Sequence, residues 1–157
     1  MKRFAALLLS VLLVLSLAAC GGKEEAKTAD PKSLADDMLK ALSAQGEMIE
    51  LTGDTAANYY DLGEAVSEYR VYMSSMWIAE EVAVFKAGDT KDVDAVKGIC
   101  DKRIADLKDS FDGYLPEEYT VVEENAQVLA SGDIVALVIG SKEGVEAAKA
   151  VFDKALG

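Results

Sequence analysis

Three stretches of the chain carry apolar residues at every third or fourth position, which is the pattern of an amphipathic helix. The first predicts a helix over about 31–45, and an aspartate at the N-cap followed by a proline marks its start. The second runs from Thr90, in the N-cap position, to about Gly113, and the third begins after a cap at Ser141. The apolar faces of the three helices are formed by Leu34, Met38, Ala41 and Leu42, by Val93, Val96, Cys100, Ile104, Leu107 and Phe111, and by Val145, Ala148, Phe152 and Ala155.

Between the helices, apolar and polar residues alternate, as in strands that bury one face. The alternation over 67–74, followed by the apolar run 82–85, predicts a first hairpin. The segments 120–130 and 133–140 predict two further strands, joined by a tight turn at Gly132. The chain therefore contains two predicted hairpins. Each is followed by one of the later helices, and the first helix precedes both.

The stretch 46–66 has a less regular pattern. It predicts a short strand at 48–51 and a short helix capped by Asp54, and the rest of the stretch is left unassigned.

A shift of 52 positions places residues 81–104 over 133–156 without gaps and with six identities among the 24 pairs. This predicts an internal repeat of two ββα units, at about 67–113 and 120–157; chance likeness between strand-turn-helix patterns is the alternative. A single ββα unit cannot cover both sides of its core, but two can share a sheet. We therefore expect one α+β domain over 30–157, with an N-terminal helix and a four-stranded antiparallel sheet that carries its helices on one face.

The first 20 residues read as an export signal. Two basic residues precede an apolar run over 4–17, which is shorter than the roughly 20 residues that span a bilayer. The run ends in a lipobox-like sequence whose peptidase-recognition residues are Leu17, Ala18 and Ala19. We expect residues 1–19 to be removed, Cys20 to be lipidated and 20–29 to form a flexible tether; the alternative is a plain secretory signal with Cys20 as a chance thiol.

The charge and composition of the chain exclude several classes of partner and of chemistry. Removal of 19 of the 157 residues leaves 138, and the loss of Lys2 and Arg3 changes the formal charge from −12 to −14. A body this acidic excludes nucleic acid and anionic lipid headgroups as preferred partners. The chain has no histidine, so it lacks the commonest general base and zinc ligand. With Cys20 lipidated, only Cys100 remains, which excludes an internal disulfide and predicts a buried thiol on a helix face.

No residue pattern in the chain indicates a catalytic site, a cofactor or a metal site. Asp89, Asp92 and Asp94 could suggest calcium, but the spacing of an EF-hand is missing, and carboxylates are favoured in a first helical turn by the helix dipole. A pair of carboxylates acting as acid and base stays open, because nothing selects one pair among so many.

Aromatic residues are the other candidate feature. Tyr69, Tyr72 and Trp77, on and after the first strand of the first hairpin, could form an exposed aromatic surface for a protein, peptide or glycan partner. The alternative is that they complete the core or cover a sheet edge.

Several segments together resemble one family. They are Tyr60-Asp61-Leu62, 76–86, 93–103, Phe111 with Tyr114 and Pro116, and 132–138. In this order they are similar to domain of unknown function 4358, a family of bacterial lipoproteins, typically at Gram-positive cell surfaces, over roughly residues 50–153. The resemblance implies a fold and a location, and it implies no activity and no catalytic residues.

These observations lead to one expected function and two alternatives. We expect a non-catalytic binding or assembly module, held by the lipid on Cys20 at the extracytoplasmic face of the cell membrane. The alternatives are a carboxylate-based envelope hydrolase and a small ligand-binding accessory of a transporter.

Overall fold

The computed structural model describes residues 28–75 and 77–157. The predicted signal peptide with Leu17, Ala18 and Ala19, the lipidation site Cys20 and the tether up to residue 27 lie outside the described residues. In chain order the elements are α1 Pro31–Leu42, β1 Ile49–Leu51, α2 Gly53–Ala57, β2 Val66–Met73, β3 Glu81–Ala87, a 3-10 turn Thr90–Asp92, α3 Val93–Phe111, α4 Pro116–Asn125, β4 Gln127–Ser131, β5 Ile134–Ile139 and α5 Lys142–Leu156.

The five strands form one antiparallel sheet in the order β1-β2-β3-β5-β4. The predicted α+β class and the two hairpins, β2–β3 and β4–β5, are confirmed, and the hairpins join through β3 and β5. The predicted number of four strands was wrong, because β1 adds a fifth strand beside β2, with Ile49 opposite Met73. The pattern indicated this short strand, but three residues carry too little information to place it in a sheet.

Helices cover both faces of the sheet, so the prediction of helices on one face was wrong. α3 and α4 pack on one face, and α1 and α5 pack on the other. The physical reason lies in the two central strands: all six residues of β5, Ile134–Ile139, are buried, and five consecutive residues of β3 are buried as well. A strand covered on one face alternates between apolar and polar residues, whereas an unbroken apolar run requires cover on both faces.

The predicted repeat describes the central strands but not the position of the helices. Val84 and Ala136, which the 52-residue shift equates, are also cross-strand partners, so the two strands pair symmetrically about this point. Val82 and Ile134, which are also equated, face the same core cluster. The helices that follow, α3 and α5, lie on opposite faces of the sheet. No single rotation can therefore superpose both ββα units, strands and helices together.

The segment 120–130, predicted as a strand, contains the end of α4 and then β4. Thr120, Val121 and Val122 favour a strand by intrinsic propensity. However, a proline at the first position of α4 and glutamates in its first turn favour a helix. Burial of Val122 against the α3 side of the core then overrides the local preference.

The other boundaries are close to those predicted. α1 ends at Leu42 rather than 45, because Ser43 adopts a left-handed conformation with φ 52°. The helix predicted from Thr90 starts at Val93 instead, after a 3-10 turn that is capped where the Asp89 side chain accepts a hydrogen bond from the backbone N–H of Lys91. The cap at Ser141 is confirmed, since its Oγ accepts from the N–H of Gly144 at 3.1 Å. No helix among the described residues combines the length and the apolar character that crossing a membrane requires.

The sheet has two distinguishable ends. At one end Ile49, Met73, Glu81 and Ile139 form a row across four strands; we call this the far end. At the other, the entry end, the N–H of Ala87 donates to the carbonyl of Asp133. The described chain enters beside the C-terminal turn of α5, where residues 29 and 30 line a cleft together with residues 154 and 155.

Candidate functional site

Four large apolar side chains of the described residues are exposed, and all four lie at the far end. They are Ile49, Tyr59, Trp77 and Tyr114, with exposed fractions of 56%, 36%, 57% and 64%. Ile49 pairs with Met73, and Met73 and Tyr59 line one pocket. The rings of Trp77 and Tyr114 are 5.9 Å apart, centroid to centroid, and inclined by 44°. Scattered exposed apolar residues need no explanation, but their concentration at one end indicates a candidate interaction site.

A pocket of about 150 Å³ opens at this end, between the loop that joins β2 to β3 and the C-terminal half of α3. Its walls include Ile78, Leu107 and Phe111, and its floor includes Glu81 and Arg103. The pocket is therefore apolar at its sides and carries an ion pair at its base.

The ion pair at the base is buried and fully coordinated. Arg103 Nε lies 3.1 Å from Glu81 Oε1, and Arg103 Nη2 lies 2.7 Å from Glu81 Oε2. The hydroxyl of Tyr60 donates to the same carboxylate, and the ring of Tyr59 lies 5.0 Å from the guanidinium carbon. These contacts satisfy both charges inside the protein, which a buried ion pair requires.

Electrostatics favour this charge arrangement. Burial on its own would lower the pKa of Arg103, but the charge and the hydrogen bond of Glu81 outweigh burial and raise the pKa. Burial, with the Glu81 charge, raises the pKa of Tyr60 well above its usual value. At neutral pH Tyr60 is therefore a hydrogen-bond donor, and Arg103 is a permanent cation.

The loop that carries Trp77 is fastened from two sides. The carboxylate of Glu80 accepts hydrogen bonds from the backbone N–H groups of Gln45, at 2.9 Å, and Gly46, at 2.8 Å. The N–H of Ala79 donates to Glu118 Oε2 of α4 at 2.7 Å. The loop's C-terminal half is thus held against the segment after α1 and against α4, which fixes the place from which Trp77 projects.

The surface around the aromatic side chains is acidic. The segments 43–48, 74–80 and 109–118, which meet at the far end, contain six acidic residues and no lysine or arginine. Glu80 and Glu118 are engaged by backbone N–H groups. The four acidic residues left exposed are Glu47, Asp109, Asp112 and Glu117.

The aromatic residues selected from the sequence do not form one exposed surface. Tyr69 is half-buried on the α3 face, where its hydroxyl accepts from the N–H of Gly53 at 3.0 Å. Tyr72 is half-buried on the opposite face and donates to Asp36 at 2.6 Å. Trp77 alone of the three is exposed; its ring lies beside that of Tyr114, and Tyr59 lines the pocket at the same end. The predicted surface did not include Tyr59 and Tyr114, because they lie in separate segments that only the folded chain brings together.

The other candidate groups have structural roles. Cys100 is fully buried, as predicted, and burial, followed by the charges of Asp101 and Glu81, raises its pKa to about 12. Asp89 caps the 3-10 turn, and Asp94 pairs with Lys97. Within 28–75 and 77–157, no group of three or more acidic or cysteine side chains is placed to hold a metal ion.

Two tyrosines are expected to make the fold sensitive to alkali. The pKa of Tyr60 is raised as described, and burial, with the hydrogen bond to Asp36, raises the pKa of Tyr72 to about 12. A folded tyrosine that keeps its proton to higher pH stabilises the fold fully below pH 10.0, its unfolded value, and this contribution is lost as the pH rises towards 12. The free energy of unfolding should therefore be lower at about pH 11 than at about pH 8, and the fall should be smaller in Tyr72→Phe. Equal falls in the two proteins would contradict this assignment.

The fold and the site together define a class: an α+β domain whose five-stranded sheet lies between two helical layers, with an exposed aromatic cluster and a pocket at one end. The chain belongs to the family described as "Domain of unknown function (DUF4358)", which matches residues 40–140. The family resemblance expected from the sequence is thus confirmed. No curated protein and no solved structure matches the chain.

Proposed function

We propose that this protein is a lipid-anchored, extracytoplasmic module that binds a partner through the far end of its sheet, without catalysis. The observation that carries the proposal is the exposure of Tyr59, Trp77 and Tyr114 at one end of the sheet, where Tyr59 lines a pocket and the other two rings lie side by side. Tryptophan and tyrosine contribute a disproportionate share of binding energy at protein interfaces, and an exposed cluster of them is typical of a recognition surface.

The position of the far end relative to the anchor supports the proposal. The lipobox-like sequence ending at Cys20 favours a membrane anchor on the N-terminal side, next to the entry end. α1 has 12 residues and so carries the chain about 18 Å from there. Its C-terminal residue Leu42 lies against Gly140, just beyond the far end of β5. With a lipid on Cys20, the aromatic side chains would lie at the end of the domain opposite the tether and be accessible to a partner.

A carboxylate-based hydrolase has less support. Glu81, the carboxylate at the base of the pocket, accepts hydrogen bonds from Arg103 and Tyr60. Glu80 and Glu118 hold backbone N–H groups. An acid or base needs a lone pair or proton that can reach the substrate, and these three groups are committed to holding the fold.

A small-ligand accessory of a transporter also has less support. Sites that enclose a small molecule usually measure about 300–1,000 Å³, and the far-end pocket has about 150 Å³. Two other clefts have volumes of about 450 and 370 Å³. The first lies where the chain enters the domain, and in the second the charged side chains of Glu50 and Arg70 are paired with each other.

Site-specific photocrosslinking in intact cells would test the proposal. A photoreactive amino acid at position 114 should yield a discrete adduct in the membrane fraction, and Trp77→Ala should abolish that adduct. The same amino acid at position 91, which is exposed on the 3-10 turn at the entry end, serves as the matched control. Identical adducts from both positions, or adducts that persist in Trp77→Ala, would count against recognition by the far end.

The anchor is tested separately with Cys20→Ala. The native protein should be found in the membrane fraction with the added mass of acyl chains, and the variant should lack that mass. A native protein that is soluble and unmodified would contradict the anchored location and leave the crosslinking result to decide the binding role.

A further inference from the structure

We propose that the far end recognises a cationic peptide segment of an envelope protein, with a lysine or arginine against the aromatic rings and a neighbouring apolar side chain in the pocket. This inference rests on the proposed binding function and specifies the chemistry of the partner. It depends on three features of one surface: its charge, its exposed rings and the size of its pocket.

The charged side chains of the three segments that meet at this end are all acidic. Glu47, Asp109, Asp112 and Glu117 are exposed around the rings, and the three segments that meet there contain no basic residue. Among the described residues, Arg103 is the one cation that lines the pocket, and Glu81 neutralises it. A surface on which exposed carboxylates predominate attracts cationic partners and repels anionic polymers, so charge complementarity favours a basic segment.

The exposed rings suit the same occupant. Trp77 and Tyr114 are more than half exposed, and their tilted arrangement gives a ligand access to ring faces. An ammonium or guanidinium group within about 6 Å of such a ring is attracted by its quadrupole, and tryptophan gives the strongest effect. Carboxylates beside the rings add to this attraction, whereas a neutral sugar stacked on them would gain nothing from the negative charge.

The pocket indicates a peptide rather than a free small molecule. Its volume of about 150 Å³ is suited to one side chain, below the range for whole ligands. Ile78, Leu107 and Phe111 offer apolar contacts at its walls. A residue such as leucine next to the cationic one would fill the pocket and anchor the segment, since hot spots at interfaces are side chains buried in pockets of the partner.

The experiment uses the intrinsic fluorescence of Trp77, the single tryptophan of the chain. The purified protein is titrated with the peptide Lys-Leu-Gly-Lys-Leu-Gly-Lys-Leu, with the same peptide carrying glutamate for lysine, and with chitotetraose as a neutral glycan. We expect the dissociation constant obtained from the Trp77 fluorescence to be at least about ten-fold lower for the lysine peptide than for either other probe. The affinity of the lysine peptide should fall as salt is added.

Two double variants separate local from overall charge. Asp112→Asn with Glu117→Gln should weaken binding of the lysine peptide by about five-fold. Glu64→Gln with Glu68→Gln removes the same charge from exposed positions towards the entry end and should leave the affinity almost unchanged. Equal weakening by both variants would overturn the proposal, because the attraction would then come from overall charge.

Other outcomes also decide the matter. Tighter binding of chitotetraose or of the glutamate peptide, or no binding of the lysine peptide, overturns the cationic assignment. The crosslinking experiment at position 114 does not depend on these probes. If the lysine peptide does not bind but the adduct forms, the binding function is supported and the partner belongs to a different class. If neither is observed, both proposals fail.

Discussion

Arg103→Met is expected to lower the free energy of unfolding by about 3–5 kcal/mol. Arg103 is 6% exposed and Glu81 is 2% exposed, so the substitution would leave a buried carboxylate without its cation. Urea or thermal unfolding followed by circular dichroism measures the loss, and the melting temperature should fall by roughly 10 °C. The cause is the uncompensated charge, because methionine retains most of the apolar contacts of the arginine stem.

Two controls identify that cause. Lys149→Met removes one partner of an exposed ion pair with Asp153 and should change stability by less than about 1 kcal/mol. Adding Glu81→Gln to Arg103→Met removes the charge but keeps an acceptor for Tyr60, so the double variant should be more stable than Arg103→Met alone. A single variant as stable as Lys149→Met would show that water reaches the Glu81 carboxylate.

Gly144→Ala is expected to destabilise the protein by about 1–3 kcal/mol. A Cβ at this position would collide with the carbonyl oxygen of Leu42 and lie 3.1 Å from its Cδ1. The glycine thus permits the end of α1 to rest on the first turn of α5, and the backbone of α1 would have to shift to admit a methyl group. Chemical denaturation gives the change in free energy of unfolding.

Gly98→Ala is the matched control. Gly98 is an exposed glycine inside α3, and a Cβ there would meet no atom within 4 Å. Alanine is the better helix former, so this variant should have a free energy of unfolding about 0.5–1 kcal/mol higher than that of the native protein. A loss of stability at position 144 together with a gain at position 98 would identify the close approach at Leu42 as the cause. A gain in stability at both positions would contradict it.

The elements that could be predicted from the sequence were those with strong local patterns. The long periodic face of α3, the cap at Ser141 and the hairpin turn at Gly132 were sufficient to define helices and hairpins in the right order. The apolar runs of β3 and β5 fit a sheet covered on both faces, but they were interpreted as strands that bury only one face. The interpretation as a half-exposed sheet failed because the repeat suggested that both helices lie on the same side.

The candidate site could be predicted only in part, for a different reason. Ile49, Tyr59, Trp77 and Tyr114 come from four segments, and no local pattern relates them. The partners Glu81 and Arg103 are 22 positions apart, and a pairing across a strand and a helix leaves no periodic signal. Trp77 could be selected because tryptophan is rare and lies between two strands; its neighbours depend on tertiary structure.

The central pairing of β3 with β5 has a consequence for biogenesis. β3 ends at Ala87 and β5 begins at Ile134, so α3, α4 and β4 are all synthesised before β3 gains its second neighbour. Until then β3 has a free edge on a strand in which five of the seven residues are apolar, and such an edge readily pairs with another chain. Wherever the chain folds as it emerges from its N-terminal end, this edge stays unpaired between the appearance of residue 87 and that of residue 139, and a chaperone that covers it would act in that interval.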